Sequence, residues 1–385
     1  MIIDFKVSKQ AFAEHYQGKK PLFIKQAFTP SANFSWADAN QIITRNNVES
    51  PDFKILHNGL VPKHEYIDSF HDVGMVRHRL NKSAVYERMK NGATLIANKI
   101  VNEPKVHGFA RQVAQLTGRQ TVSSAYAAFG RQASFQTHWD TRDIFAIQLM
   151  GRKRWIIYEP SFTDPLYMQQ SKDLEQDYPC PAEPCMDIVL EPGDVLYLPR
   201  GWWHNPLPFE EETFHLSVGT FPANTLDYVQ WSLQKLPELA AARQAMSTFE
   251  QDSETLSLLA SHLAGLISDP AHYQHFMEQF DAAQRVETPL AIDVFGNSTV
   301  NQLPDDSVLR LAANNTLSVA RNHLIANGTR LQLDETALRL VRQIEHSPGI
   351  TVQQLTTALP ELDPTKLRTL VFELCRQDIL ELIRP

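Results

Sequence analysis

The chain has 385 residues, 43% of them apolar and 21% charged, with a net charge of −8; this reads as a soluble globular protein with length for two or three domains and a large core. The acidic balance argues against sequence-independent nucleic-acid binding over the whole surface, and no apolar run is long enough to span a bilayer. The opening Met1-Ile2-Ile3-Asp4-Phe5-Lys6 lacks a secretory pattern, and Cys180, Cys185 and Cys375 are spaced unlike a zinc knuckle or redox pair, so reduced thiols and a cytoplasmic location are expected.

Residues 1–92 read as a mixed α/β lead-in. Ser8 caps a short helix through Gln17, Pro21 to Lys25 is a strand, and Ser35 to Asn46 is helical. A strand over Phe53 to His57 ends at Asn58-Gly59, and a helix over Ser83 to Lys90 closes at Asn91-Gly92.

From Ala93 the texture changes. A strand at residues 94–98 and a helix at 103–116, stopped by Gly118, precede a series of short β-type runs. These cover residues 121–129, 135–140, 143–150, 154–158, 187–190, 195–198 and 213–221. Short strands separated by Gly/Pro turns, with no helices between them, predict a closed or sandwiched antiparallel sheet. The polar stretch from Glu159 to Met186 is expected to be a surface excursion near the mouth of that sheet.

After Pro222 the pattern turns helical, over residues 225–236, 253–266 and 271–283, punctuated by Pro237 and Pro270. The C-terminal part has strands around an Asn327-Gly328 turn, then helices at 335–345, 352–358 and 364–377 and an apolar tail from Ile379. That order resembles a winged helix. From Leu331 to Pro385 eight acidic side chains face six basic ones, whereas a groove-reading domain is normally basic; a protein-contact or structural role is expected there.

The chemistry concentrates in Thr137-His138-Trp139-Asp140 and in Glu191-Pro192-Gly193-Asp194, Pro199 and Gly201-Trp202-Trp203-His204. In an extended strand His138 and Asp140 point to one face. The E-P-G-D turn signals a hairpin whose second strand delivers His204 just past its end. An H-x-D pair alone is a weak signal, since a hydrogen-bonded structural histidine is commoner than a ligand. With His204 added, two imidazoles and one carboxylate make the facial triad that suits non-haem Fe(II) and leaves coordination positions open. Lys153 alternates to the face opposite Arg152 and Arg154 and so points inward with the ligands. An inward ammonium without a partner is costly and calls for an anion; beside Fe(II), the natural one is the distal carboxylate of 2-oxoglutarate.

The stretch Ala93-Thr94-Leu95-Ile96, Tyr126, His138-Trp139-Asp140, Asp143, Phe145, Gln148 and Gly151 to Trp155, completed by Glu191 to His204, is similar to the JmjC-type cupin family of ribosomal oxygenases over about residues 93–222. The resemblance implies an α+β chain with a double-stranded β-helix (cupin, jelly-roll) core. It implies an N-terminal extension over 1–92, the catalytic domain over 93–222, a helical dimerisation segment over 223–290 and a winged-helix-like domain over 291–385. It implies Fe(II) at His138, Asp140 and His204, with 2-oxoglutarate held by Lys153 and the Tyr126 hydroxyl. Members are typically homodimers that hydroxylate a ribosomal protein, on arginine in bacteria and on histidine in animals; arginine is the first expectation here. Bacterial members often carry arginine at the Lys153 position, and a lysine makes a point-charge contact instead of a bidentate one. A hydroxyl usual before the H-x-D is replaced by the stretch Ala127 to Gln132, and Ser217, which with His215 alternates along the last strand, is the available substitute.

Neighbouring features have plainer readings. Trp139, Trp202 and Trp203 are expected mainly to pack, while Asp143 and Glu210-Glu211-Glu212 could draw a basic peptide to the mouth. A metal-dependent cupin isomerase or small-molecule binder would use the same three ligands without needing Lys153, and a ligand-sensing regulator would need a basic winged helix.

Overall fold

The computed structural model describes residues 2–29, 34–130 and 136–383 and divides into two units, Met1–Phe221 and Pro222–Pro385. In the first unit the helices are α1 (Lys9–His15), α2 (Trp36–Arg45), α3 (Lys82–Lys90), α4 (Pro104–Thr117) and α5 (Ser171–Leu174). The strands are β1 (Leu22–Ile24), β2 (Phe53–Leu56), β3 (Ile67–Asp72), β4 (Met75–Leu80), β5 (Thr94–Ala97), β6 (Gln120–Ala128), β7 (Asp143–Met150), β8 (Lys153–Tyr158), β9 (Met186–Leu190), β10 (Val195–Leu198), β11 (Trp203–Pro208) and β12 (Thr213–Phe221).

Two antiparallel sheets carry the unit. The large one has the order β1-β10-β7-β12-β6-β5-β2 and the small one β11-β8-β9. Strand β7 is buried from Asp143 to Leu149 because both faces of the large sheet are covered. Its Ile144 and Ala146 join Leu196, Leu198, Trp155, Ile157 and Leu190 between the two sheets. Its Phe145, Ile147 and Leu149 join Phe214, Leu216 and Val218 against Phe12 of α1 and Phe109 and Val113 of α4. Period-two alternation thus assigns each residue to the inter-sheet space or to the helix-covered face. On β12 the residues left for the inter-sheet face are His215, Ser217 and Gly219.

The helix starts were legible. Ser8 caps α1 through Ala11, Ser35 and Asp38 form a capping box on α2, and Gly118 closes α4 in the left-handed region. Strands β1 and β2 do more than lead in, since they form the two edges of the large sheet. The β3–β4 hairpin turns at Val73-Gly74 and lacks the alternation that marks a half-buried strand; it had no counterpart in the reading of the sequence.

Two expectations about the site strands are corrected. Residues 136–140 form no strand: His138 makes a single bridge to His204, and Phe135 lies outside the described residues. Nor is there a β9–β10 hairpin. The E-P-G-D turn carries the chain from the small sheet to the large one, pinned by Asp194, whose carboxylate accepts from Glu191 N at 2.9 Å and Gln26 N at 2.8 Å. His204 lies inside a strand of its own, β11, which pairs with β8. Proline at 206 and 208 hid that strand, because β11 is an edge where a missing N–H is tolerated.

The second unit contains α6 (Thr225–Leu233), α7 (Phe249–Ser268), α8 (Pro270–Ala283), α9 (Ile292–Phe295), β13 (Val308–Leu311), β14 (His323–Ala326), β15 (Thr329–Gln332), α10 (Glu335–His346), β16 (Ile350–Thr351), α11 (Val352–Ala358), α12 (Pro364–Arg376) and β17 (Leu380–Ile383). Strands β16, β13 and β17 form one sheet, and β14 and β15 a hairpin through Asn327-Gly328. Leu340, Val341, Ile344, Leu355, Leu367, Val371 and Leu374 fill the core below. No helix among the described residues is long and apolar enough to cross a membrane, and all three cysteines are free.

The turn that aims Lys153 rests on one glycine. Gly151 has φ +62°, and a Cβ there would lie 1.9 Å from the Glu212 carbonyl oxygen. Gly18, at φ +69° with open space around it, separates backbone strain from clash. In urea unfolding, Gly18→Ala should cost about 1 kcal/mol and Gly151→Ala about 3 kcal/mol or more. Equal losses at the two sites would contradict this account of the turn.

Candidate metal centre

The loop after β6 and the start of β11 are tied by a reciprocal backbone pair: His138 N donates to His204 O at 3.1 Å, and His204 N donates to His138 O at 2.8 Å. This brings the imidazole centroids within 4.4 Å of each other. Each Nδ1 faces a backbone carbonyl, Gln136 O at 2.8 Å for His138 and Trp202 O at 3.0 Å for His204. With those nitrogens donating, both Nε2 atoms carry the lone pair that a metal would take. Asp140 Oδ2 lies 3.7 Å from His204 Nε2, and one donor atom from each of the three residues falls within 4.8 Å of the others. Burial, reinforced by the charge of His138, pushes the His204 imidazole down to about 4. It therefore stays neutral, as ligation requires.

Trp155 lies along His204 at 5.7 Å and meets His215 edge-on at 5.8 Å; His215 stacks on Tyr126 at 4.8 Å. These rings wall the space that leads from the donors to Lys153. Lys153 is buried, with 4% of its surface exposed, and no hydrogen bond or ion pair joins its ammonium to any described residue. Burial alone brings its pKa down to about 8, leaving it mostly cationic at neutral pH. On the same face, Trp155 Nε1 and His215 Nδ1 are buried and unpartnered among the described residues. Burial, with Lys153 adding to it, holds His215 well below its usual range. Two polar groups without partners beside one cation describe a place built for an anionic ligand. The residues present therefore fit both a facial-triad metal and a chelating diacid.

Other residues named from sequence fall as follows. Tyr126 is half-buried, and burial raises its phenol pKa. Ser217 is partly buried on β12, two residues from His215. Trp139 and Trp203 pack edge to face at 4.6 Å, and their N–H groups donate to Gln169 O and Ser161 Oγ. Asp143 is corrected: it is 2% exposed and meets no peptide. Its carboxylate accepts from Arg119 Nη1 at 2.8 Å, Tyr197 Oη at 2.9 Å and Arg200 N at 3.0 Å. Glu211 is likewise engaged, with Arg152. Trp155 was missed as part of the site, although the Lys153-Arg154-Trp155 alternation could have placed it.

Asp143 positions the turn before His204, since the next residue, Gly201, donates to Asp140 O at 3.0 Å. Asp143→Asn should lower Mn(II) affinity about ten-fold in a chelator competition, a loss typical of groups that orient ligands. Wild-type affinity in that variant would remove Asp143 from the support of the centre.

The JmjC domain profile matches residues 96–228, which contain all three donors and Lys153. Bovine ribosomal oxygenase 1 is 36% identical over 110 residues, 28% of this chain and 16% of that protein. The Dictyostelium discoideum bifunctional lysine-specific demethylase and histidyl-hydroxylase NO66 is 27% identical over 218 residues, 56% and 41% of the two chains. The matched segments span less than half the length of these curated relatives. Among solved structures, Escherichia coli ycfD superposes with a TM-score of 0.59 at 19% identity, over 100% of both chains. A complex of that ribosomal oxygenase with cobalt and 2-oxoglutarate gives 0.56 at 17%, over 100% and 99%. The fold is therefore theirs, and residues 96–228 of this chain match a JmjC domain.

Proposed function

We propose that the protein is an Fe(II)- and 2-oxoglutarate-dependent hydroxylase of a ribosomal protein side chain, arginine first and histidine next. The observation that carries this reading is the pairing of a His138/Asp140/His204 donor set with a buried, partnerless Lys153 in the same inter-sheet space. His204 pairs with Ile157, four residues along β8 from Lys153, a span of about 13 Å between backbones that two side chains and a diacid can bridge. His138, Asp140 and His204 would hold iron, and Lys153 would hold the distal carboxylate, with Tyr126 and Ser217 supplying hydroxyls. Iron with 2-oxoglutarate supplies coupled oxidation: dioxygen delivers one atom to a substrate C–H and one to succinate, with release of carbon dioxide.

The chain's own work is placement. The two Nδ1 hydrogen bonds fix the imidazoles, the ammonium aligns the cosubstrate by charge, and the apolar inter-sheet core keeps water from the reacting end. Residues 1–92 would serve as the extension that completes the sheet edges and 93–222 as the catalytic domain. Within 223–290, α7 has no buried residue, with Phe249 at 75% and Leu258 at 58% exposure. Exposed apolar side chains along a twenty-residue helix suit contact with a second copy. Residues 291–385 would form a winged-helix-like domain in a protein-contact role, given their acidic balance.

Lys153→Ala should weaken 2-oxoglutarate binding about 100-fold by calorimetry on Mn(II)-loaded protein. A metal-only cupin predicts no loss. Because the ligand pairs with the protonated amine, wild-type affinity should hold below pH 8 and fall above it, as the depressed Lys153 pKa of about 8 dictates; Lys153→Arg should remove that fall. Mass spectrometry of ribosomal proteins from cells with and without the gene should show one protein lacking a single oxygen. Identical spectra would count against a ribosomal substrate. Phe249→Glu with Leu258→Glu should convert a dimer into a monomer in light scattering, and an unchanged mass would exclude α7 as the interface.

A further inference from the structure

Among the described residues, the arginines surrounding the site are engaged with carboxylates, with one exception. Arg119 meets Asp143, Arg152 meets Glu211, Arg154 meets Asp187 and Arg200 meets Asp164. Arg142, two residues after Asp140 and half-buried, has no hydrogen bond or ion pair with any described residue. Its guanidinium sits 5.7 Å from the Phe221 ring. Its stem lies across Gly219, where a Cβ would come within 2.7 Å of Arg142 Cδ and 2.9 Å of Nε. Gly219 shares the inter-sheet face of β12 with Ser217 and His215, so the guanidinium stem crosses the wall of the site itself. Its charge also reaches the Tyr126 hydroxyl, as does that of Asp140. Lys153 opens β8 at the far end of this space from His204, whereas Arg142 precedes β7 at the Asp140 end.

We infer that Arg142 is a carboxylate-recognising residue at the metal end of the site, a second cation working opposite Lys153. A guanidinium presents two parallel N–H donors that match a carboxylate, and the ring of Phe221 and bare backbone of Gly219 orient that fork without consuming its hydrogen bonds. The carboxylate has two possible sources: the 2-oxo acid end of the cosubstrate, or an acidic residue of the protein substrate near the hydroxylated position. The inference rests on the oxygenase reading, because it assigns Arg142 to the ligands of that site.

The test uses Mn(II)-loaded protein without turnover. Manganese affinity, read by electron paramagnetic resonance, reports whether the donor set is intact. Calorimetry with 2-oxoglutarate probes the first source. Line broadening by the bound manganese of a blocked Gly-Asp-Gly peptide, against Gly-Asn-Gly, probes the second with 2-oxoglutarate saturating. A cosubstrate contact predicts that Arg142→Met weakens 2-oxoglutarate about ten-fold or more, with Arg142→Lys recovering most of it. A substrate contact predicts unchanged 2-oxoglutarate affinity but loss of the Asp-specific broadening. Should Arg142→Met lose manganese, Arg142→Gln, which keeps a polar end without the charge, carries the same comparison. Both readouts within two-fold of wild type would leave Arg142 as a stacking partner of Phe221 and overturn the inference. Wild-type protein that takes manganese but no 2-oxoglutarate would overturn the oxygenase reading instead, and the inference with it if Asp-specific broadening is equal in wild type and variant.

Discussion

Two backbone hydrogen bonds, exchanged between His138 and His204, hold the site together. They join a loop that follows the large sheet to a strand of the small sheet, so residues far apart in sequence present imidazoles to one point. Because the bonds are made by the main chain, they use neither imidazole. The local carbonyls of Gln136 and Trp202 then fix both tautomers. The supports radiate from here: Asp143 anchors the turn before His204, and Trp155 backs its ring.

Lys153 gives the space its polarity. A buried ammonium with no acid beside it among the described residues carries an electrostatic cost of several kcal/mol, which the packing of the two sheets offsets. Gly151 fixes the turn, Gln148 donates to the Met150 and Gly151 carbonyls at 2.9 Å, and β8 pairs on both sides with β9 and β11. The site is thus framed by paired strands, with the ammonium at one end and the metal donors at the other.

Much of this was legible because each signal was local. Helix caps, the glycine stop at 118 and the apolar runs of β7 and β12 depend on neighbours in sequence, and all were readable. Inward Lys153 followed from alternation alone. What escaped depends on pairing across the sheets. The β11 strand carries prolines that look like breakers until its edge position is known. The β3–β4 hairpin is too exposed to show a two-residue period. The E-P-G-D turn looked like a hairpin because sequence cannot tell a turn within a sheet from a crossing between sheets. Asp143 looked like a surface acid because its partners, Arg119 on one side and Tyr197 and Arg200 on the other, come from segments distant in sequence. Arg142 escaped because its lack of an acid partner is visible only once every other arginine of the site has been paired.

The central claim is that the three donors and the lysine serve one ligand set. Anaerobic titration of 2-oxoglutarate into the Fe(II)-loaded protein tests it directly, through the visible absorption band that ferrous iron gives with a chelating 2-oxo acid. The account predicts a band that saturates at one equivalent per chain and that His204→Ala abolishes. A wild-type protein that binds iron yet gives no band at saturating 2-oxoglutarate would contradict it.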